Sequence, residues 1–188
     1  MSRGEVSSSL TEQVERLTAE SKARATAVSV HDLESGLRFS LRGDRWFHAA
    51  STIKVAVLLA LFRAVDEGRV RLDDSLHVRN RFFSAANGYP FQLNRDSDAM
   101  PELYQAIGQT AKISALAEGM ISASSNLATN LLLDFVGVEY ARAVLREAQV
   151  DGVELRRGVE DHGAHERAIL FSQTQTVNRP QKISPHLI

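Results

Sequence analysis

The chain has 188 residues, 44% of them hydrophobic and 24% charged, with a formal net charge of -1 and no cysteine. That is enough apolar material for one substantial core, and the near-neutral balance, with no extended basic stripe, argues against a nucleic-acid or membrane surface. Lack of cysteine excludes disulfides, thiolate nucleophiles and cysteine-based zinc sites.

From the start, Ser9-Leu10-Thr11-Glu12 reads as a capping box that opens a helix, with Leu10, Val14 and Leu17 as its apolar stripe. Residues 25–31 and 37–41 read as two strands around the turn Glu34-Ser35-Gly36. Ser51-Thr52-Ile53-Lys54 then opens a long apolar run. Val55, Leu58, Leu59, Phe62 and Val65 keep core spacing, and Ala56, Val57, Ala60 and Leu61 leave little polar face, so this helix is expected to be buried. Residues three apart share a helical face, which lets the Lys54 amine reach the Ser51 hydroxyl. Free N–H groups at a helix N-terminus also favour developing negative charge. A lysine in the first turn of a buried helix needs a neighbour or a lowered pKa. Read alone, the same four residues also fit an N-cap serine followed by an exposed lysine.

After Gly68, residues 70–78 read as irregular or as a short strand. Residues 79–100, with Asn87-Gly88 and Pro90, read as a long structured loop whose Phe82, Phe83, Tyr89 and Phe91 either pack it onto the body or line a cleft. A helix is predicted over 101–107, opened by Pro101, and another over 138–148 after Gly137. Between them, Ile113, Leu116, Met120 and Ile121 repeat at helical spacing, as do Leu127, Leu131, Leu132 and Phe135. Ser124-Ser125-Asn126 therefore sits at a helix junction. There Ser124 can relay a proton, and the Asn126 amide offers a donor and an acceptor to a substrate amide; both are also ordinary capping residues.

His162-x-x-His165, with Glu160, Asp161 and Glu166 nearby, has a spacing that suits a metal only on a helix, and Gly163 and the missing apolar face argue against one. No metal and no other cofactor is expected. Past Arg167 the periodicity is lost, so the chain divides into a domain over 1–167 and a divergent or disordered tail over 168–188.

Both serine motifs, in this order, resemble the class A β-lactamase and penicillin-recognising serine hydrolase family, which carries Ser-x-x-Lys, Ser-Asp-Asn and Lys-Thr-Gly. The approach Phe47-His48-Ala49-Ala50-Ser51-Thr52-Ile53-Lys54 and the stretch from Met120 through Ser124-Ser125-Asn126 to Leu132 are similar to the corresponding family segments. The resemblance spans residues 9–167. It implies Ser51 as the acylated nucleophile, Lys54 as its proton acceptor or relay, Ser124 as the relay to the leaving nitrogen, and Asn126 as a contact to the substrate amide and to Lys54. Arg156-Arg157-Gly158-Val159-Glu160-Asp161 resembles the start of the family's Ω loop, which implies Glu160, or failing that Asp161, as the carboxylate that activates the deacylating water. Ser125 stands where the family has Asp, and Lys-Thr-Gly is absent.

The implied fold is α+β, a helical lobe plus a small antiparallel sheet lobe lacking its C-terminal strands. The implied activity is opening of a β-lactam amide through a Ser51 acyl-enzyme, the chemistry of antibiotic resistance and β-lactam catabolism, impaired by the missing Lys-Thr-Gly strand. A related serine hydrolase acting on another amide or ester, or an inactive truncated fragment, stays open beside it. The expected partner is a small-molecule substrate, and a lone hairpin with an open edge invites self-association. The first residues lack the apolar core of a signal peptide, so the chain as written is expected in the cytoplasm, although family members usually act in the periplasm or outside the cell.

Overall fold

A computed structural model of the chain describes residues 3–163, which form two compact units, one running to His48 and one starting at Ala49. The tail expected over 168–188 lies outside the described residues.

The first unit holds helix α1 (Arg3–Glu20) and an antiparallel hairpin of strands β1 (Val28–His31) and β2 (Arg38–Leu41), in register from Val28↔Leu41 to His31↔Arg38. The turn closes because the Asp32 carboxylate accepts the Glu34 N–H at 3.0 Å and Gly36 adopts φ +69, a left-handed conformation that glycine reaches without Cβ strain. The hairpin follows the sequence reading. The start of α1 does not: it lies at Arg3, so Ser9 is inside the helix, where its hydroxyl accepts from Gln13 Nε2 at 3.2 Å instead of capping. A capping pattern embedded in a run that tolerates helix is overridden by continuation of the backbone ladder. Leu17 is exposed, so the expected stripe is only partly covered.

Among the described residues, the second unit is built on the α-helices α2 (Ile53–Asp66), α3 (Ile113–Ser122), α4 (Asn126–Val136) and α5 (Val138–Glu147). Every residue of α4 from Leu127 to Leu133 is buried, which places this helix at the centre, packed on α2, α3 and α5. Gly137 separates α4 from α5 at φ +86, its N–H donating to the Leu133 carbonyl at 2.8 Å. A β-carbon there would be strained, so the sharp link between the two helices depends on glycine.

The buried side of α2 differs from the one expected. Ala56, Val57, Ala60, Leu61 and Ala64 are buried, whereas Val55, Leu59 and Phe62 are 63%, 40% and 48% exposed. The expectations that these three point into the core, and that the helix is buried all round, are thus overturned. Alanines at four-residue intervals let α2 approach α4 and α5 closely, so fit chooses the face over side-chain size.

Two further strand pairs complete the unit: β3 (Ser75–His77) with β6 (Thr110–Lys112), and β4 (Phe82–Phe83) with β5 (Pro90–Phe91). The second pair lies in the region read as loop. Its aromatics divide: Phe82 is buried against Phe91, ring centroids 5.9 Å apart, while Phe83 and Tyr89 are exposed. The helix predicted over 101–107 is a 3-10 turn, Pro101–Ala106.

Candidate active site

Three segments of the second unit converge. Ser51 lies in a short 3-10 turn, Ala50–Thr52, that leads directly into α2 and puts Lys54 in the first turn. Ser124 links α3 to α4, and Ser125 is the N-cap of α4, its hydroxyl accepting the Ala128 N–H at 3.2 Å. Glu160 comes from the segment after α5. That segment is tied to α4 by Asn130, whose amide accepts the Val159 N–H at 2.7 Å and donates to the Val159 carbonyl at 3.0 Å. Gly158 allows the approach, because a β-carbon there would stand 2.7 Å from Asn130 Oδ1.

The side chains form one network. Lys54 Nζ donates to Ser51 Oγ at 3.3 Å, Ser124 Oγ at 2.8 Å, the Ser124 carbonyl at 2.6 Å and Asn126 Oδ1 at 2.9 Å. Ser124 Oγ donates to Ser51 Oγ at 3.0 Å. Asn126 Nδ2 donates to Glu160 Oε1 at 2.6 Å. The five residues singled out in the sequence, Ser51, Lys54, Ser124, Asn126 and Glu160, are therefore brought together, and Ser51 itself is exposed.

Backbone strain marks the same place. Ala50, Ser124 and Glu160 adopt φ of +46, +64 and +57. Left-handed conformations of non-glycine residues persist only where surrounding structure over-determines them, and they cluster at functional sites.

The electrostatics favour a lysine able to give up its proton. Lys54 is buried, and that desolvation holds its amine below the ordinary lysine range, while the negative charges of Asp98 and Glu160 pull the other way. The protonated Lys54 ammonium has three donors and here faces four oxygens, with Ser51 Oγ the most distant. The ground state thus keeps the Lys54 side chain on the helix junction, within reach of the Ser51 hydroxyl.

Asp161 does not share this site. Its carboxylate is buried, accepting from Ser84 Oγ at 2.7 Å and the Ala85 N–H at 2.8 Å. Of the two candidate bases, Glu160 is the one in the network. His162 is exposed, and His165 lies outside the described residues. Tyr89 and Phe91 join Ser84, Glu160, Asp161 and His162 in lining a pocket beside Glu160. Two residues escaped the sequence reading. Asn130 is hidden in an apolar helix, where its only cue is a polar residue on a core face. Asp98 is buried among exposed acids of a loop and bonds the first turn of α4 at Leu127.

The sequence matches the β-lactamase enzyme family over residues 9–186. The chain belongs to that family. Among solved structures, the ancestral GNCA class A β-lactamase is 28% identical with a TM-score of 0.62, matched over 81% of this chain and 54% of its own. PBP-A, as a mutant in an acyl-enzyme complex with penicillin G, is 30% identical with a TM-score of 0.58, over 76% of this chain and 50% of its own. A β-lactamase from Chitinophaga pinensis DSM 2588 shares the fold at 24% identity and a TM-score of 0.65, over 82% and 53%. No curated protein matches the chain. The chain spans about half the length of these solved relatives, and the α+β class with a helical body and a small antiparallel sheet is confirmed by the likeness.

Proposed function

We infer that this member of the β-lactamase family is a serine hydrolase that opens the β-lactam amide through an acyl-enzyme on Ser51. The observation that carries the reading is Ser124 Oγ, which stands 3.0 Å from Ser51 Oγ and 2.8 Å from Lys54 Nζ. It joins nucleophile, relay and amine in one chain of hydrogen bonds. As Ser51 Oγ bonds to the lactam carbonyl carbon, its proton passes toward Lys54, directly or by way of Ser124. When the C–N bond breaks, Ser124 delivers a proton to the departing nitrogen. Asn126 holds Lys54 with its carbonyl and Glu160 with its amide, so the acylating and deacylating groups share one positioning residue. Glu160 then takes a proton from the water that attacks the acyl carbon; the bond from that carbon to Ser51 Oγ breaks and the proton returns to Oγ, releasing the ring-opened acid and restoring Ser51.

This sequence contains no Lys-Thr-Gly. Turnover through Ser51, with release by Glu160, is the first outcome expected. The acyl-enzyme recorded for PBP-A supports a second outcome at the same serine, a persistent adduct with little release. Penicillins, cephalosporins and simple esters, offered to the chain and to Ser51→Ala with turnover and intact mass recorded, separate these. β-Lactam loss that disappears in the variant supports the lactamase reading, whereas ester turnover alone moves the substrate class. Neither adduct nor turnover with any probe defeats the reading.

The β1–β2 hairpin stands as a two-stranded sheet of its own, with both outer edges unpaired by any described strand, and such edges recruit further strands. Self-association is the expected consequence. A compact, cooperatively melting monomer in size-exclusion chromatography would contradict it.

A further inference from the structure

The family's second motif carries a carboxylate at its middle position, where this chain has Ser125. Ser125 is fully buried and neutral, and caps α4 with its hydroxyl. A carboxylate reaches the same junction from elsewhere. Asp98, 7% exposed, accepts the Leu127 N–H at 2.8 Å and the Tyr104 hydroxyl at 3.1 Å with one oxygen, and the Met100 N–H at 2.9 Å with the other. The Leu127 N–H is one of the first-turn donors that a helix cannot satisfy internally, at the end of α4 where negative charge is favoured. Asp98 therefore clasps the start of α4 to the segment from Asp98 to Tyr104.

We propose that Asp98 is a positioning residue for the hydrolase site, supplying from a neighbouring loop the carboxylate that position 125 lacks and so holding Ser124 and Asn126 against Lys54. The role rests on the serine-hydrolase reading above. Among the described residues, the charges that act on Lys54 are those of Asp98, bonded to Tyr104, and Glu160, bonded to Asn126; Arg157 turns its guanidinium to the Gly158 and Asp161 carbonyls. With burial acting against the Lys54 ammonium, Asp98, like Glu160, opposes the loss of its proton. Burial, together with the neighbouring carboxylates of Asp98 and Glu160, also pushes the Tyr104 hydroxyl far above the usual phenol range, so it remains a donor to Asp98.

The test reads Lys54 directly. The lysines are Lys22, Lys54, Lys112 and Lys182, so lysine labelled with carbon-13 at Cε gives a small set of signals, with Lys54 assigned through Lys54→Arg. In Asp98→Asn, the Lys54 titration midpoint falls below that of the unaltered chain. The plateau rate of Ser51 acylation by penicillin G, followed by intact mass, drops roughly 10- to 100-fold, and the acid limb of its pH profile, set by the Lys54 base, moves down with the midpoint. Adding Ser125→Asp returns midpoint and rate toward the starting values. A folded Asp98→Asn whose Lys54 midpoint is unchanged overturns the proposal, because a purely structural clasp would lower the melt and the rate alone. Should Asp98→Asn fail to fold, the double variant is read in its place: a folded chain with the original midpoint supports the proposal, and one that is still unfolded overturns it. A wild-type Ser51 that takes no acyl group from any probe defeats the hydrolase reading, and the Lys54 titration, which needs no substrate, still decides Asp98.

Discussion

The two units of this chain solve the same problem with unequal means. The helical unit buries seven consecutive residues of α4 among leucines and alanines of its neighbours, whereas the hairpin of the first unit buries Phe39 alone among its strand residues. Every side chain of the site network belongs to the helical unit. A site held to fractions of an ångström needs rotamers locked by packing, and only the second unit provides that density. The difference teaches where rigidity is spent: on the junctions that aim Ser51, Ser124 and Glu160.

The sharpest way to probe that division is inside the site. In Glu160→Gln the amide cannot accept a proton from water, so release of the Ser51 adduct should slow by about 10²–10⁴, leaving the acyl mass on the protein. Asp161→Asn, one residue along, should leave release largely intact and instead loosen the link to Ser84 and Ala85, costing about 1–3 kcal/mol of stability. Equal adduct accumulation in both variants would mean that the split between neighbouring carboxylates is wrong.

Packing gives the next contrast. Leu131→Ala empties a fully buried position and should destabilise the helical unit by about 2–5 kcal/mol, measured by denaturant melts. Phe39→Ala should loosen the hairpin while the amides of α4 keep their protection in hydrogen exchange. If α4 loses protection in step, the two units unfold as one body.

A smaller effect comes from Lys54. Its folded pKa lies below the ordinary value of 10.5, so between those two values the unfolded chain binds more protons than the folded one, and stability rises with pH across that alkaline window. The slope should be missing in Lys54→Met. Parallel pH–stability curves for the two proteins would show that the buried amine is not perturbed.

Much of the site was legible because local spacing writes it down. Ser51 and Lys54 share a turn, and Ser124 and Asn126 flank a helix start, so periodicity alone places each pair. The hairpin was legible from its turn residues and the helices from their apolar repeat. What stayed hidden depends on partners distant in sequence. Asp98 looks like any loop acid until Leu127 arrives from another element. Choosing between Glu160 and Asp161 required knowing that Ser84 and Ala85 claim the latter. The face of α2 was misread because apolar residues surround the helix, leaving no polar stripe to mark its exposed side; alanine-mediated approach of α4 and α5 decided it.

That exposed face supplies the smallest expected effect and the finest test of the comparison. Val55, Leu59 and Phe62 lie on one side of a helix whose other side is core. Substitutions at exposed positions away from caps and networks usually stay within about 0.5 kcal/mol, so Leu59→Ser and Phe62→Ser should melt almost as the unaltered chain does, far from the loss at Leu131. A loss of about 2 kcal/mol or more at Leu59 would instead match removal of a buried leucine, which means that another surface covers the stripe in solution. Melting temperature against protein concentration then identifies the source: dependence on concentration assigns the cover to a second copy, because association stabilises by mass action, and independence assigns it to the same chain.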